Sequence, residues 1–208
     1  MALLNVPSTK SSLLVLRRQL EFAQEGYDLL DRKRELLLRE LGATAGRAAL
    51  ARESVESLLA RANAALREAQ LDAGSAAVDR AALGVLPVQT VKIKDKRFMG
   101  TRLPLGSARA VKAGFYFGPG GTPAAADGAV FSFNAALPGL AELAGLDTAA
   151  ARLAHELKKT QRRCNTLSKK VIPDRRETIA FLGGTLEERE RDSFVILKMI
   201  RNRLRAEG

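Results

Sequence analysis

Several residue clusters in this 208-residue chain have side chains suited to chemistry, and each lacks a partner that the chemistry needs. His155-Glu156 begins like the helix pair of a zinc protease, but Lys159 stands where the second histidine should be. As the sole histidine, His155 reads as a helix-surface residue. Cys164 shares an apolar stripe with Leu157, Leu167 and Val171, which marks it as a small core residue rather than a reactive thiol. Gly118-Pro119-Gly120-Gly121 has no Lys-Ser/Thr after it, so it reads as an exposed turn rather than a phosphate-cradling loop. Leu186 to Asp192 carries four carboxylates, but Arg189 and Arg191 are interleaved with them, as in intrahelical pairing. These residues point to no catalytic, cofactor or metal site.

The elements that carry these residues are long helices. Leu13, Leu16, Leu20, Ala23, Tyr27, Leu30, Arg34, Leu37, Leu41, Thr44, Ala48, Ala51, Val55, Leu58, Ala62, Ala65 and Ala69 follow an alternating step of three and four. A mean step of 3.5 is the seam of a left-handed coiled coil, and this stretch would be a helix roughly 85 Å long. Ser8 or Thr9 should cap it, after Pro7. A second seam runs through Leu143, Leu146, Ala150, Leu153, Leu157, Thr160, Cys164, Leu167 and Val171. It resumes after Pro173 at Ile179, Leu182, Leu186, Ser193, Leu197, Ile200 and Leu204. Pro173 should bend this helix, because a mid-helix proline removes one backbone hydrogen bond and clashes with the preceding turn. The fold class that follows is mainly α, a long antiparallel left-handed coiled-coil hairpin with a small β-containing insert at its tip.

The expected organisation is an N-terminal helix over 8–73, a Gly/Pro-rich insert over 74–139 and a C-terminal helix over 140–206. The insert holds Pro87, Pro104, Pro119, Pro123 and Pro138. Three short strands are predicted in it, at Val88–Lys94, Ala113–Phe117 and Ala129–Phe133. No window approaches 18 uninterrupted apolar residues, so no transmembrane helix is expected. The start of the chain lacks the basic segment of a signal peptide. A single cysteine excludes an internal disulfide and fits a reducing cytoplasm. Net charge is +11, and residues 151–208 hold 15 basic and 8 acidic residues. Such a field favours an acidic partner, and a basic coiled-coil adaptor for nucleic acid or a membrane surface is one alternative. Glu187, Glu188, Glu190 and Asp192 interrupt the basic face, and the helices carry few aromatics for base stacking, which argues against it.

Two segments resemble a known family. Val6-Pro7 through Leu37 is similar to the N-terminus of the D subunit of the V/A-type rotary ATPases. The match is stronger over Lys159-Thr160-Gln161-Arg162-Arg163-Cys164-Asn165-Thr166-Leu167, Val171-Ile172-Pro173, Thr178-Ile179 and Leu186 to Arg191, then Phe194 and Leu197-Lys198. Cys164 departs from the usual valine, and Ser168 from a common acidic residue. The resemblance implies a non-catalytic central rotor shaft, without cofactor, that couples ATP hydrolysis or synthesis to rotation of a membrane ring. Its implied partners are the catalytic and regulatory nucleotide-binding subunits of a stator hexamer, a small companion rotor subunit and a socket subunit on the ring. Nucleic acid and direct membrane insertion are not implied, and the expected location is the cytoplasmic face of the membrane. On this basis Lys10, Arg162, Arg163, Asn165, Arg189, Arg191 and Lys198 are candidate stator contacts, with Pro173 the helix bend. The insert is expected to dock the companion subunit.

Overall fold

The computed structural model describes residues 6–85, 90–109 and 124–206. Helix α1 spans Lys10–Ala73, α2 Ser75–Ala82 and α3 Ala124–Thr166, followed by a π turn at Leu167–Val171 and α4 at Ile172–Ala206. Strands β1 (Val91–Phe98) and β2 (Thr101–Ala108) form a two-stranded antiparallel sheet between the long helices. The mainly helical fold with a β insert is therefore as the sequence indicates.

Every seam position named in α1 is buried or half-buried. The deepest burial falls at multiples of seven residues, first Leu16, Ala23, Leu37 and Thr44, then Ala48, Val55, Ala62 and Ala69. The four-residue step from Thr44 to Ala48 moves the deepest contact from one seam position to the other, and leucine gives way to alanine and valine. Gly74 ends α1 with a φ of 80°, its N–H donating to the Gln70 carbonyl at 2.9 Å. Its ψ of 152° places it outside the left-handed helical region, in a conformation that essentially only glycine adopts, and it also stands at the N-cap of α2.

The chain divides into two compact units, residues 36–157 and residues 1–35 with 158–208. In the first unit Leu37, Leu103, Ala149 and Leu153 form one core cluster, with Leu41, Phe98 and Leu157 against it. Ala69, Val78 and Ala126 form a second, under α2. Helices α1 and α3 run antiparallel here: Ala69 meets Ala126, a Cβ on Gly139 would lie 2.9 Å from Val55 Cγ2, and Arg52 pairs with Asp147 at 3.1 Å.

The β-hairpin lies with its β2 edge against α3. A Cβ on Gly106 would fall 2.0 Å from the Ala141 carbonyl oxygen, and one on Gly145 would fall 2.5 Å from the Gly106 nitrogen. Backbone meets backbone there, so neither position has room for a side chain. Arg152 adds a hydrogen bond to the Arg102 carbonyl at 3.0 Å.

Several expectations need correction. Residues 129–133 are helical, because Ala126, Ala129 and Ala136 give α3 a small buried face that outweighs the strand propensity of Phe131 and Phe133. The second helix therefore begins at Ala124 rather than Leu140, and it carries Pro138 internally. The first strand runs Val91–Phe98, and its partner β2 goes unpredicted because Pro104 and Gly106 look like strand breakers. Pro104 is tolerated because its missing N–H falls on the outer edge of β2 rather than in the ladder. Ala113–Phe117 and the glycine turn at 118–121 lie outside the described residues. One helical stretch, Ala125–Arg205, is long and apolar enough by length and composition to cross a membrane, although it holds no run of 18 uninterrupted apolar residues.

Candidate partner-contact surface

The second unit brings the start of α1 beside the C-terminal half of the chain. Thr9 caps α1: its Oγ1 accepts the Ser12 N–H at 3.2 Å, and its carbonyl accepts the Leu13 N–H at 3.0 Å. Lys10 Nζ pairs with Glu190 at 2.5 Å, and Arg189 donates to the Ser8 carbonyl at 3.0 Å. Two of the candidate contact residues are thus engaged within the chain, at the point where α1 begins.

The signature segment of α3 alternates in burial. Thr160 and Cys164 are almost completely buried, while Arg162, Arg163 and Asn165 are exposed. Arg34, the one cation at a seam position of α1, is held by Asp31 at 2.7 Å and reaches Gln161 Oε1 at 3.4 Å. Gln161 in turn donates to Asn165 Oδ1 at 3.0 Å. Burial pushes the Cys164 thiol above its ordinary pKa, with Arg34 opposing and Asp31 adding to the shift, so the residue stays a protonated core group.

Beyond Cys164 the helix loosens. Ile172 donates its N–H to the Leu167 carbonyl, five residues back, which closes the π turn. Pro173 follows directly. It has no N–H to give, and widening the preceding turn moves the backbone away from the clash that a proline makes in a regular helix. The buried seam then continues at Thr178 and Leu182, whereas Ile179, where the sequence resumes it, is half-buried. The Thr178 hydroxyl is satisfied by the Asp174 carbonyl at 2.7 Å.

The largest departure from expectation is the last part of α4. All described side chains from Glu187 to Arg205 are exposed, including Ser193, Leu197, Ile200 and Leu204, which the sequence places in the seam. Phe194 is 74% exposed, and Val195, Ile196 and Met199 are open as well. The reason is geometric. Lys10 opens α1 and already faces Glu190, so α4 continues past the first turn of α1 with no described helix beside it. The sequence does carry a signal, since Phe194-Val195-Ile196-Leu197 wraps apolar residues around the helix rather than along one stripe. Arg191 and Lys198 sit on this same exposed stretch. Among the described residues no cluster of histidine, cysteine or carboxylate side chains could hold a metal ion.

Comparison with known proteins gives the arrangement its context. The family model for the ATP synthase D subunit matches residues 12–202. The chain belongs to the D-subunit family of V/A-type ATP synthases. It is 34% identical over 201 residues to the V-type ATP synthase D subunit of Thermotoga neapolitana, covering 97% of this chain and 99% of that one. It is 36% identical over 201 residues to the V-type D subunit of Thermus thermophilus, with 97% and 90% covered. The A-type D subunit of Pyrococcus furiosus is 32% identical over 209 residues, with 98% and 97% covered. As a D subunit the chain is a non-catalytic central-stalk component of a rotary ATPase complex.

Proposed function

We propose that this D subunit is the rotor shaft that couples ATP hydrolysis or synthesis to ion movement through a membrane ring. Its uncovered α4 end lies among the catalytic and regulatory nucleotide-binding subunits of a stator hexamer. The observation that carries this reading is the fully exposed helix from Glu187 to Arg205, with seven large apolar side chains in the open. A chain working alone in water rarely holds so large an apolar surface open, and such patches mark interaction sites. Arg162, Arg163, Asn165, Arg191 and Lys198 act as exposed contacts to successive stator subunits, and Lys10 and Arg189 join them from their pairs at the start of α1. Exposed pairs of this kind are weak and screened by solvent, which suits a surface that must release and rebind. Pro173 and its π turn set the direction of the contact-bearing end.

The insert between α1 and α3, which carries the β1–β2 hairpin, serves a small companion rotor subunit and, with the adjoining helix ends, a socket subunit on the ring. The complex sits on the cytoplasmic face of the membrane, and this chain stays out of the bilayer. Of the most apolar window within Ala125–Arg205, 22% is buried, and Ala126, Ala129, Ala136 and Leu146 of this helix pack inside the protein. Two experiments test the reading. Affinity purification from the source membrane should recover large nucleotide-binding subunits, and a preparation without them would overturn it. In the assembled complex, an Arg162→Ala, Arg163→Ala pair should leave helicity unchanged and lower ATP turnover or its coupling to ion transport. Full turnover and coupling would return these arginines to ordinary surface charge.

A further inference from the structure

Among the described residues, the outer edge of β1 is a row of main-chain hydrogen-bonding groups with no partner and with a defined parity. Met99 and Gly100, with φ of 46° and 83°, make the two-residue turn that pairs Phe98 with Thr101. In such a hairpin that pair exchanges hydrogen bonds and the ladder alternates from there. Lys96, Lys94 and Lys92 therefore bond across to Leu103, Leu105 and Ser107. Arg97, Asp95, Ile93 and Val91 turn their N–H and C=O groups away from β2. The other side of the sheet supports this parity. Arg102, Pro104 and Gly106, opposite those residues, direct their outward backbone groups at Arg152 and Gly145 of α3. Thus β2 spends its free edge on α3, while no described residue pairs with the free edge of β1. Val91 and Ile93 on that edge are 57% and 71% exposed.

We infer that this edge accepts a β-strand from another component of the rotary complex, and that the incoming strand is acidic. Charge selects the occupant. The strand carries Lys92, Lys94, Lys96 and Arg97 against a single Asp95. A second copy of β1 would set like charges opposite one another, which destabilises a strand pair, whereas a carboxylate-bearing strand turns the same side chains into partners. Main-chain bonds supply the attachment, and the lysines supply the selection. An edge this basic also resists pairing with arbitrary apolar strands. The inference rests on the rotor reading above and adds the site and chemistry of one contact.

The test is residue-resolved amide hydrogen exchange on the full-length chain, alone and in the complex purified from its membrane. On assembly the amides of Val91, Ile93, Asp95 and Arg97 should slow by at least about tenfold, while those of Lys92, Lys94 and Lys96 are already slow in the free chain. Ile93→Pro removes one outward N–H without touching the β1–β2 ladder. It should restore fast exchange at Val91 and Asp95 in the complex and leave the ladder amides slow. Outward amides that stay fast in a complex containing the nucleotide-binding subunits overturn the docking inference and leave the rotor reading standing. A chain recovered without those subunits overturns both. Slow outward amides in the isolated chain would mean that the edge is covered by this chain or a second copy, and would also overturn it. So would unchanged protection in the Ile93→Pro complex.

Discussion

The stretch of α3 from Ala141 to Leu153 and the stretch of α4 from Glu187 to Arg205 are both helical, and they are stabilised in opposite ways. The first is fixed by its own chain. Gly145 lies against the backbone of β2, and Ala149 and Leu153 are buried in a cluster with Leu37 and Leu103. The second is richer in large apolar side chains but buries none of them. Apolar content alone therefore does not say where the core of this protein lies. The length of the opposing helix decides it, because burial needs a surface to meet.

That contrast can be broken most forcefully at Leu153. Leu153→Ala should cost about 2–5 kcal/mol, the range for emptying a fully buried leucine site, as read from chemical unfolding of the isolated chain. A loss near zero would mean the cluster is not packed as described. Gly106→Ala comes next, at about 1–3 kcal/mol, since its methyl group would drive into the Ala141 carbonyl. The control is Gly26→Ala, where a Cβ meets nothing within 4 Å and the helix should gain up to about 1 kcal/mol. Equal destabilisation by both would remove the case for a backbone contact.

Leu197→Ser should shift the unfolding of the isolated chain by no more than about 0.5 kcal/mol, because it empties no buried site. The same change should weaken retention of the chain in the assembled complex. A melting loss comparable to that of Leu153→Ala would show that the α4 end is packed after all. The smallest effect belongs to Lys10. Its hydrogen bond to Glu190, and then the Coulomb attraction of that carboxylate, hold the Lys10 ammonium above its usual 10.5. A raised folded-state pKa means the folded chain keeps this proton more tightly. The contribution is complete below pH 10.5 and disappears as pH climbs through the folded-state value. Glu190→Gln should therefore narrow its melting difference from the parent chain as pH rises past that range. A constant difference would remove the pair from the account.

The long elements are legible because a period of 3.5 is a strong signal over many turns, and all the seam positions of α1 are at least half-buried. Cys164 is legible as core for the same reason. What the sequence conceals comes from neighbours rather than from local preference. Residues 129–133 look like a strand until the alanines at 126, 129 and 136 are seen as one helical face. Strand β2 looks broken until Pro104 and Gly106 are seen on the edge that α3 covers. Leu197, Ile200 and Leu204 continue the seam period faithfully, but periodicity cannot report that the opposing helix has already begun. Among the candidate contact residues, the exposure of Arg162, Arg163 and Asn165 follows from their place beside the seam. The intrachain partners of Lys10 and Arg189 depend instead on the register of two distant helices, which no local pattern encodes.

The π turn at Leu167–Val171 works as an angular index for everything after it. Each residue of a regular helix advances the side-chain direction by about 100°, so one residue more or less within this already widened turn would rotate the whole exposed face of α4 about its axis. The buried positions before it, Thr160 and Cys164, would keep their places. Pro173 keeps the turn from relaxing into regular helix, and the azimuth at which Phe194, Leu197 and Lys198 are presented is therefore written into five residues far from any of them.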